Sequence, residues 1–220
     1  MYRYVGTLVF AFSAVALGSA GDISPDSAGD ISKVNGSIDV AAGRQAGDVS
    51  TVNGSITVGS GGQVRDVETV NGSVRLETRA AARAVETVNG SVVLAVEATV
   101  SEGVNAVNGK LTLLRGARVA GRLENVNGDF VLEGATVGGG IETVSGDVLV
   151  GAGSRVENGI HVEKNRGWSL KKSERPRVTI ESGAVVNGTL EFEREVDLYV
   201  GAGAVVGPVA GVAPQRHSLP

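Results

Sequence analysis

The sequence predicts an all-β, single-domain parallel β-helix, or β-solenoid, with about 18 residues per coil. The first observation is a valine followed by an Asn-Gly corner, which returns in steps of 18 or 19 residues between residues 34 and 146. The second is the alternation of apolar and polar residues on both sides of the corner, which is typical of strands. A fixed period of this kind indicates stacked repeats, because one short unit cannot bury its own apolar face.

Each corner is predicted to turn the chain between two short strands. Asn tolerates the left-handed conformation, Gly supplies positive φ, and stacked Asn amides can hydrogen-bond along a column. We expect this amide ladder to stop at the seventh corner, where Ser145 replaces Asn. The structural corner residues are Asn35, Gly36, Asn53, Gly54, Asn71, Gly72, Asn89, Gly90, Asn108, Gly109, Asn127, Gly128 and Gly146.

An apolar column stands three residues before each corner valine and is predicted to face inward. A meander of antiparallel hairpins is the competing interpretation, because Asn-Gly is also a hairpin signal. A meander would turn after every strand of ~5–6 residues, whereas this chain has one strong corner per coil. The column consists of Ile31, Val49, Val67, Val85, Val104, Leu123 and Ile141.

The chain is predicted to have three parts. Residues 1–20 combine Arg3, an apolar run and small residues at Gly18 and Ala20, which is typical of a secretory signal peptide. A retained N-terminal anchor is the alternative, but the run is shorter than the ~20 residues that span a bilayer. Residues 21–209 form the solenoid, with a loop excursion at 163–177, and residues 210–220 form a C-terminal tail. We expect an exported protein, in the periplasm, on the cell surface or secreted, with no transmembrane span after signal cleavage.

Composition narrows the function further. The chain has no cysteine, so neither disulfides nor an acylated lipoprotein cysteine are available. Its formal net charge of −4 gives no general reason to expect nucleic-acid binding. Any cationic binding surface must therefore be local.

The repeat phrases VNGSI, VNGSV and VSGDV resemble a bacterial adhesin-type β-strand-repeat family of unknown function. From residue 133 the coils are similar to those of bactofilins, which are polymer-forming cytoskeletal β-helices. The resemblance covers about residues 28–209. It implies a parallel β-helix, a structural or surface role and self-association, and it transfers no catalytic residue.

A cationic segment at residues 163–177 interrupts the period and carries a net charge of +4. We interpret it as a loop that binds an anionic envelope polysaccharide, a lipid headgroup or a protein. The alternative is a solvated excursion with its tryptophan folded against the rod. The predicted partner-binding residues are Trp168, Lys164, Arg166, Lys171, Lys172, Arg175 and Arg177.

Two further rows are predicted to lie on the surface. The outward position of the strand after each corner changes from Asp39, Thr57 and Arg75 to an apolar interface stripe, which suggests a contact surface or packing beneath the loop. The stripe residues are Val93, Val131 and Leu149, with Thr112 between the first two. The second row, interpreted as ordinary strand residues, consists of Thr51, Thr69, Thr87 and Thr143.

A partial column of glutamates stands two residues before the corner valines, at Glu68, Glu86, Glu124 and Glu142. Calcium could neutralise such a column, because it prefers several oxygen ligands. The interpretation that we prefer is a solvated face balanced by nearby arginines. Those arginines are Arg65, Arg83 and Arg122.

Catalytic chemistry is weakly represented. An acyltransferase on a β-helix would need a histidine base, and the two histidines are His161, predicted to point outward without a paired acid, and His217 in the tail. A carbohydrate-active enzyme would need clustered carboxylates. The sequence contains no Cys/His cluster, phosphate loop or nucleophile elbow, so we expect no enzyme, no cofactor and no metal centre. The predicted function is a non-enzymatic exported scaffold of the envelope or surface, with a self-assembling polymer as the alternative.

Overall fold

The computed structural model describes residues 29–164 and 175–218, so the predicted signal peptide lies outside the described residues. The described residues form one parallel β-solenoid and contain no helix, which confirms the predicted fold class. Two of its sheets have ten strands and the third has seven, and neighbouring strands are parallel. The turns average roughly 19 residues.

The three sheets form the three faces of the solenoid. The first sheet, before the corners, consists of Ile31–Asn35, Val49–Asn53, Asp66–Asn71, Ala84–Asn89, Val104–Asn108, Leu123–Asn127, Ile141–Ser145, Ile160–Val162, Leu190–Phe192 and Val209–Gly211. The second sheet, after the corners, consists of Ile38–Val40, Ile56–Val58, Val74–Leu76, Val92–Leu94, Leu111–Leu113, Phe130–Leu132, Val148–Val150, Arg177–Ile180, Asp197–Val200 and Gln215–Ser218. The third sheet consists of Ala81–Ala82, Thr99–Val100, Arg118–Val119, Thr136–Val137, Arg155–Val156, Val185–Val186 and Val205–Val206.

The core is a set of apolar columns that run along the solenoid axis. The predicted column of the first sheet is buried from Val49 to Ile141, while Ile31 in the first coil is half-buried. Strands of the second sheet alternate in the same way, so Ile56 and Val58 are buried and Thr57 between them faces outward. Since each buried aliphatic side chain contributes ~1.5–3 kcal/mol before entropy, such columns stabilise the chain without a globular core.

The corner asparagines form the predicted amide ladder. Asn53 donates Nδ2 to Oδ1 of Asn35 at 3.0 Å, and the contact repeats at each corner up to Asn127. Ser145 stands in register with Asn127 and ends the ladder where the sequence predicted. None of these asparagines has positive φ, so the ladder, rather than a left-handed backbone, is what requires Asn at the corner.

The threonine row is buried, and its predicted surface location is wrong. Each threonine lies two residues after a buried valine or isoleucine of the same strand, so strand alternation turns it inward. Thr69, for example, donates Oγ1 to the carbonyl oxygen of Gly54, the corner glycine of the preceding coil, at 3.0 Å. This bond satisfies a polar group inside the core. Equivalent bonds are donated by Thr51, Thr87 and the side-chain amide of Asn125.

The solenoid continues into the segment predicted as a C-terminal tail. Gln215–Ser218 pairs in parallel with Asp197–Val200 and forms the last described strand of the second sheet. The ring of His217 stacks on that of Tyr199, with centroids 4.5 Å apart and an angle of 16°. The strand lacks apolar alternation, and pairing through backbone groups suffices at the end of a stack.

Candidate functional site

A row of acidic side chains runs along the outer face of the first sheet. Glu68 and Glu86 are in register on adjacent coils, and so are Glu124 and Glu142. Asn105 lies between the two pairs and donates Nδ2 to Oε1 of Glu86 at 3.3 Å. Strands in register are ~4.8 Å apart, so adjacent carboxylates on one face repel each other. The four glutamates are called the acidic row below.

Only one of the three arginines predicted to balance the acidic row does so. Arg122 donates Nη1 to Oε2 of Glu142 at 2.6 Å and to Oε1 of Glu124 at 3.4 Å. The other two arginines, Arg65 and Arg83, pair with acidic side chains that do not belong to this row. Arg65 pairs with Asp30 and Asp48, and Arg83 pairs with Asp66 and Glu102.

Two glutamates of the acidic row, Glu68 and Glu124, have raised pKa values. Burial raises the pKa of Glu68, and the charge of Glu86 raises it further. Burial likewise raises the pKa of Glu124, with a further contribution from Glu142, while the Arg122 guanidinium acts in the opposite direction. Ionised Glu68 therefore destabilises the folded chain, because folding removes it from water and places it beside a like charge.

We expect Glu68→Gln to raise the free energy of unfolding at neutral pH by a few tenths of a kcal/mol to about 1 kcal/mol, the range of a like-charge cross-strand pair. Since the pKa of Glu68 is higher in the folded chain, its favourable contribution is complete below the unfolded pKa and is lost as the pH rises through the folded pKa. The advantage of the variant should therefore shrink on acidification. Urea unfolding across the acid-to-neutral range measures this.

Glu157→Gln is the control for that experiment, because the pKa of Glu157 is shifted in the opposite direction to that of Glu68. Hydrogen bonds from Asn187 and Arg155 hold the pKa of Glu157 below its usual value. This substitution should lower stability at neutral pH. Its effect should be complete above the unfolded pKa of Glu157 and should shrink as the pH falls through the lower, folded pKa. If both variants change stability with the same sign, the interpretation of the acidic row is wrong.

His161 extends the acidic row by one rung, in register with Glu142 on one side and Glu191 on the other. Its Nε2 lies 3.6 Å from Oε1 of Glu193 and is inaccessible to solvent. Within the described part of the chain this nitrogen has no hydrogen-bond partner. The sequence predicted an outward histidine without a paired acid. It missed Glu193 because the intervening insertion breaks the period that would have aligned the two residues.

A histidine beside a carboxylate can act in acid–base catalysis, but such chemistry also needs a cleft that holds a substrate. A cavity lies in the first coil, seven rungs from His161, and is lined by residues such as Ile31, Val40 and Gln45. The second histidine, His217, stacks on Tyr199, and its Nε2 lies 3.9 Å from Oδ1 of Asp197. The cavity and the two histidines are therefore separate features of the rod.

The base of the cationic excursion is partly neutralised by acids of the following coil. Arg175 donates Nε to Oε2 of Glu195 at 2.8 Å, and its guanidinium lies 4.0 Å from Asp197. Arg177 lies over the ring of Tyr199, 5.6 Å from its centroid, which is a cation–π contact. Lys164 is exposed. The other predicted partner-binding residues, Trp168, Arg166, Lys171 and Lys172, lie outside the described residues.

The interface stripe forms one continuous column on the outer face of the second sheet. Val93, Val131 and Leu149 are each half-buried, and Thr112 stands in register between the first two. The column continues through Thr179 to Tyr199, so its partly apolar character extends beyond the predicted stripe. At the other end it carries the polar residues Asp39, Thr57 and Arg75.

Comparison of the chain with models of protein families, with curated proteins and with solved structures gave no match. The chain is therefore classified by its fold alone, as a parallel β-solenoid built from repeats. Across the described residues, no helix has the length and apolar character needed to cross a membrane.

Proposed function

We propose that this protein is a non-enzymatic, exported β-solenoid that serves as a scaffold of the cell envelope or cell surface, with adhesin-like contacts. The observation that carries the proposal is the interface stripe. Its outward side chains change from charged and polar to apolar along a single column of the rod. A mainly apolar row that is partly open to solvent is typical of a contact surface.

The fold also supports a role as a rigid scaffold. Ten rungs in parallel register at ~4.8 Å make a rod on the order of 45 Å long. Backbone ladders hold each rung to the next, and the amide ladder reinforces the rungs from Asn35 to Asn127, so the rod presents the stripe at fixed spacing. A rigid element of this kind positions contacts with little loss of conformational entropy on binding.

The signal peptide predicted at residues 1–20 supports export, and the resemblance to adhesin-type repeats supports a surface role. The cationic segment at 163–177 is the second proposed contact, for an anionic envelope polysaccharide, a lipid headgroup or a protein. Of its described cations, Arg177 is held against Tyr199 at the end of the stripe column. The described C-terminal end of the cationic segment therefore adjoins the column that contains the stripe.

Self-assembly into a polymer is the second candidate function, and the ends of the stack favour it. In the described part of the chain, Ile31–Asn35 and Gln215–Ser218 each pair with a neighbouring strand on one side only. Open strand edges can pair with another chain. A second copy that stacks head to tail on these edges would form a filament.

We expect the purified protein to sediment with isolated envelope fragments and Leu149→Asp to weaken this binding about tenfold, which corresponds to about 1.4 kcal/mol. The charge would have to be desolvated where an apolar side chain now makes contact. Cosedimentation measures the bound fraction, and circular dichroism verifies the fold. Thr57→Asp is the matched control, because Thr57 occupies the same column at its polar end.

The same experiment separates the two candidates. Loss of envelope binding by Leu149→Asp but not by Thr57→Asp supports the scaffold. If the protein sediments equally without envelope fragments, and filaments appear by electron microscopy, self-assembly is its activity and envelope contact is not. If both variants bind like the parent chain, the stripe has no role in contact.

A further inference from the structure

Three metal-ligating side chains meet where the chain leaves its eighth coil. His161 stacks in register on Glu142 of the preceding coil, and Glu163 follows two positions later on the strand side that faces outward. Ligand atoms from Glu142, His161 and Glu163 all lie within 4.8 Å of one another. No short sequence motif joins them, because Glu142 belongs to the preceding coil, one period before His161.

The cluster is partly withdrawn from water, like the other members of the acidic row, and Glu163 is its most buried side chain. Glu163 is 8% exposed, and the side chains of Glu142 and His161 are 18% and 29% exposed. Nε2 of His161 is buried and lacks a hydrogen-bond partner within the described residues. The imidazole offers one of its two ring nitrogens to the cluster. A buried ring nitrogen without a partner is costly, and a bound cation that accepts a lone pair of the ring lowers that penalty.

We propose that Glu142, His161 and Glu163 bind a divalent transition-metal ion, with Zn²⁺ as the ion that best fits one imidazole and two carboxylates. Three atoms no more than 4.8 Å apart share a centre at most about 2.8 Å from each. Shifts of under about 1 Å therefore bring them to the ~2.1 Å bond lengths of zinc. Calcium fits less well, because it takes oxygen ligands and the orphaned atom is nitrogen.

Glu193 contacts the histidine of the cluster, with its Oε1 3.6 Å from Nε2 of His161. It is not one of the three side chains whose ligand atoms all lie within 4.8 Å of one another. The backbone N–H of Lys164 donates to its Oε2 at 3.2 Å, which fixes the orientation of the carboxylate. Glu193 comes from the ninth coil, and a water molecule or a shift of this carboxylate would supply the fourth ligand of a tetrahedral ion.

The surroundings orient the ligands as they do in protein metal sites. Arg122 donates to Oε2 of Glu142 at 2.6 Å, and Arg194 donates Nη1 to the carbonyl oxygen of Val144 at 3.1 Å. Such hydrogen bonds around the ligands hold them in place and tune the affinity. The site lies at the base of the cationic segment, and a bound ion would join the seventh and eighth coils where the chain enters that segment.

The test is a titration of chelator-treated protein with Zn²⁺ by isothermal calorimetry. We expect one ion per chain, and His161→Ala and Glu163→Gln should each weaken binding at least about tenfold. Glu68→Gln is the matched control, because it removes a carboxylate from the same row at a distance from the cluster. Substitution with Co²⁺ provides a direct signature, since its visible absorption reports nitrogen and oxygen ligation in tetrahedral geometry.

Thermal unfolding of the parent chain gives an independent measurement if a variant fails to fold. A ligand that binds only the folded state raises the melting temperature, so Zn²⁺ should raise it more than Ca²⁺ or Mg²⁺ does. The proposal is overturned if no ion binds, if His161→Ala leaves the affinity unchanged, if Glu68→Gln weakens binding as much as the cluster variants do, or if Ca²⁺ stabilises the chain as much as Zn²⁺.

Discussion

Replacing Gly72 with alanine is expected to lower the free energy of unfolding by about 4 kcal/mol or more, an exceptional effect for a single methyl group. A Cβ at this corner would overlap the carbonyl oxygen and carbon of Gly54 in the preceding coil and lie 3.0 Å from the backbone nitrogen of Ser55. These are backbone atoms and cannot rotate away. The corner N–H groups of Gly54 and Gly72 also donate to carbonyls of the next coil at 3.1 Å, so separating the coils breaks ladder bonds.

Two controls isolate close approach as the cause. Gly134 has φ +63, and an added Cβ would meet only ordinary contacts with Arg115, so Gly134→Ala should show the strain of a left-handed residue alone, about 1–2 kcal/mol. Gly29 has neither strain nor a neighbour within 4 Å, so Gly29→Ala should be near neutral. Urea unfolding monitored by circular dichroism gives the three values, and hydrogen exchange locates the opened coils. Equal losses for Gly72→Ala and Gly134→Ala would contradict the explanation.

The corners also show how far the sequence determines this fold. The period fixed which residues stack, because in a solenoid each coil contacts only its neighbours and equivalent positions fall in line. The Asn ladder and its end at Ser145 followed directly from that alignment. The sequence did not fully reveal why glycine is needed at the corners. Gly72 lacks positive φ, so its place is set by the distance between coils, which a single repeat does not reveal.

The chemistry of the rod was less predictable than its coils. The threonine row was expected on the surface, yet Thr69 is buried. Strand alternation places its side chain inward, and a glycine carbonyl accepts its hydrogen bond. Glu142 stands one period before His161 and could have been aligned with it by counting, whereas the acid that follows the insertion could not. Residues 163–177 break the period, so Glu193 cannot be aligned with His161 by counting. Functional groups on this rod depend on register across coils, and register is uncertain wherever the repeat is interrupted.

The second large effect is expected in the core, where Phe130→Ala should lower the free energy of unfolding by about 3–5 kcal/mol. Phe130 is fully buried and stands in a column between Leu111 and Val148 of the adjacent coils. The backbones of those coils are fixed by hydrogen bonds, so they cannot collapse into the space that the ring leaves. The loss therefore includes both the transfer free energy of the side chain and the cavity. Urea unfolding measures it against the parent chain.

Two further substitutions decide whether the loss comes from the cavity. Phe130→Leu introduces the same residue type as Leu111, which occupies this column in the preceding coil. This substitution should lower the free energy of unfolding by under about 1.5 kcal/mol. Val131→Ala changes the adjacent residue, which is half-buried on the outer face, and should cost only a fraction of the Phe130→Ala value. If Val131→Ala is as destabilising as Phe130→Ala, the apolar columns do not hold the coils together. A large loss for Phe130→Ala with a small one for Phe130→Leu shows that filling each rung of the column stabilises the stack.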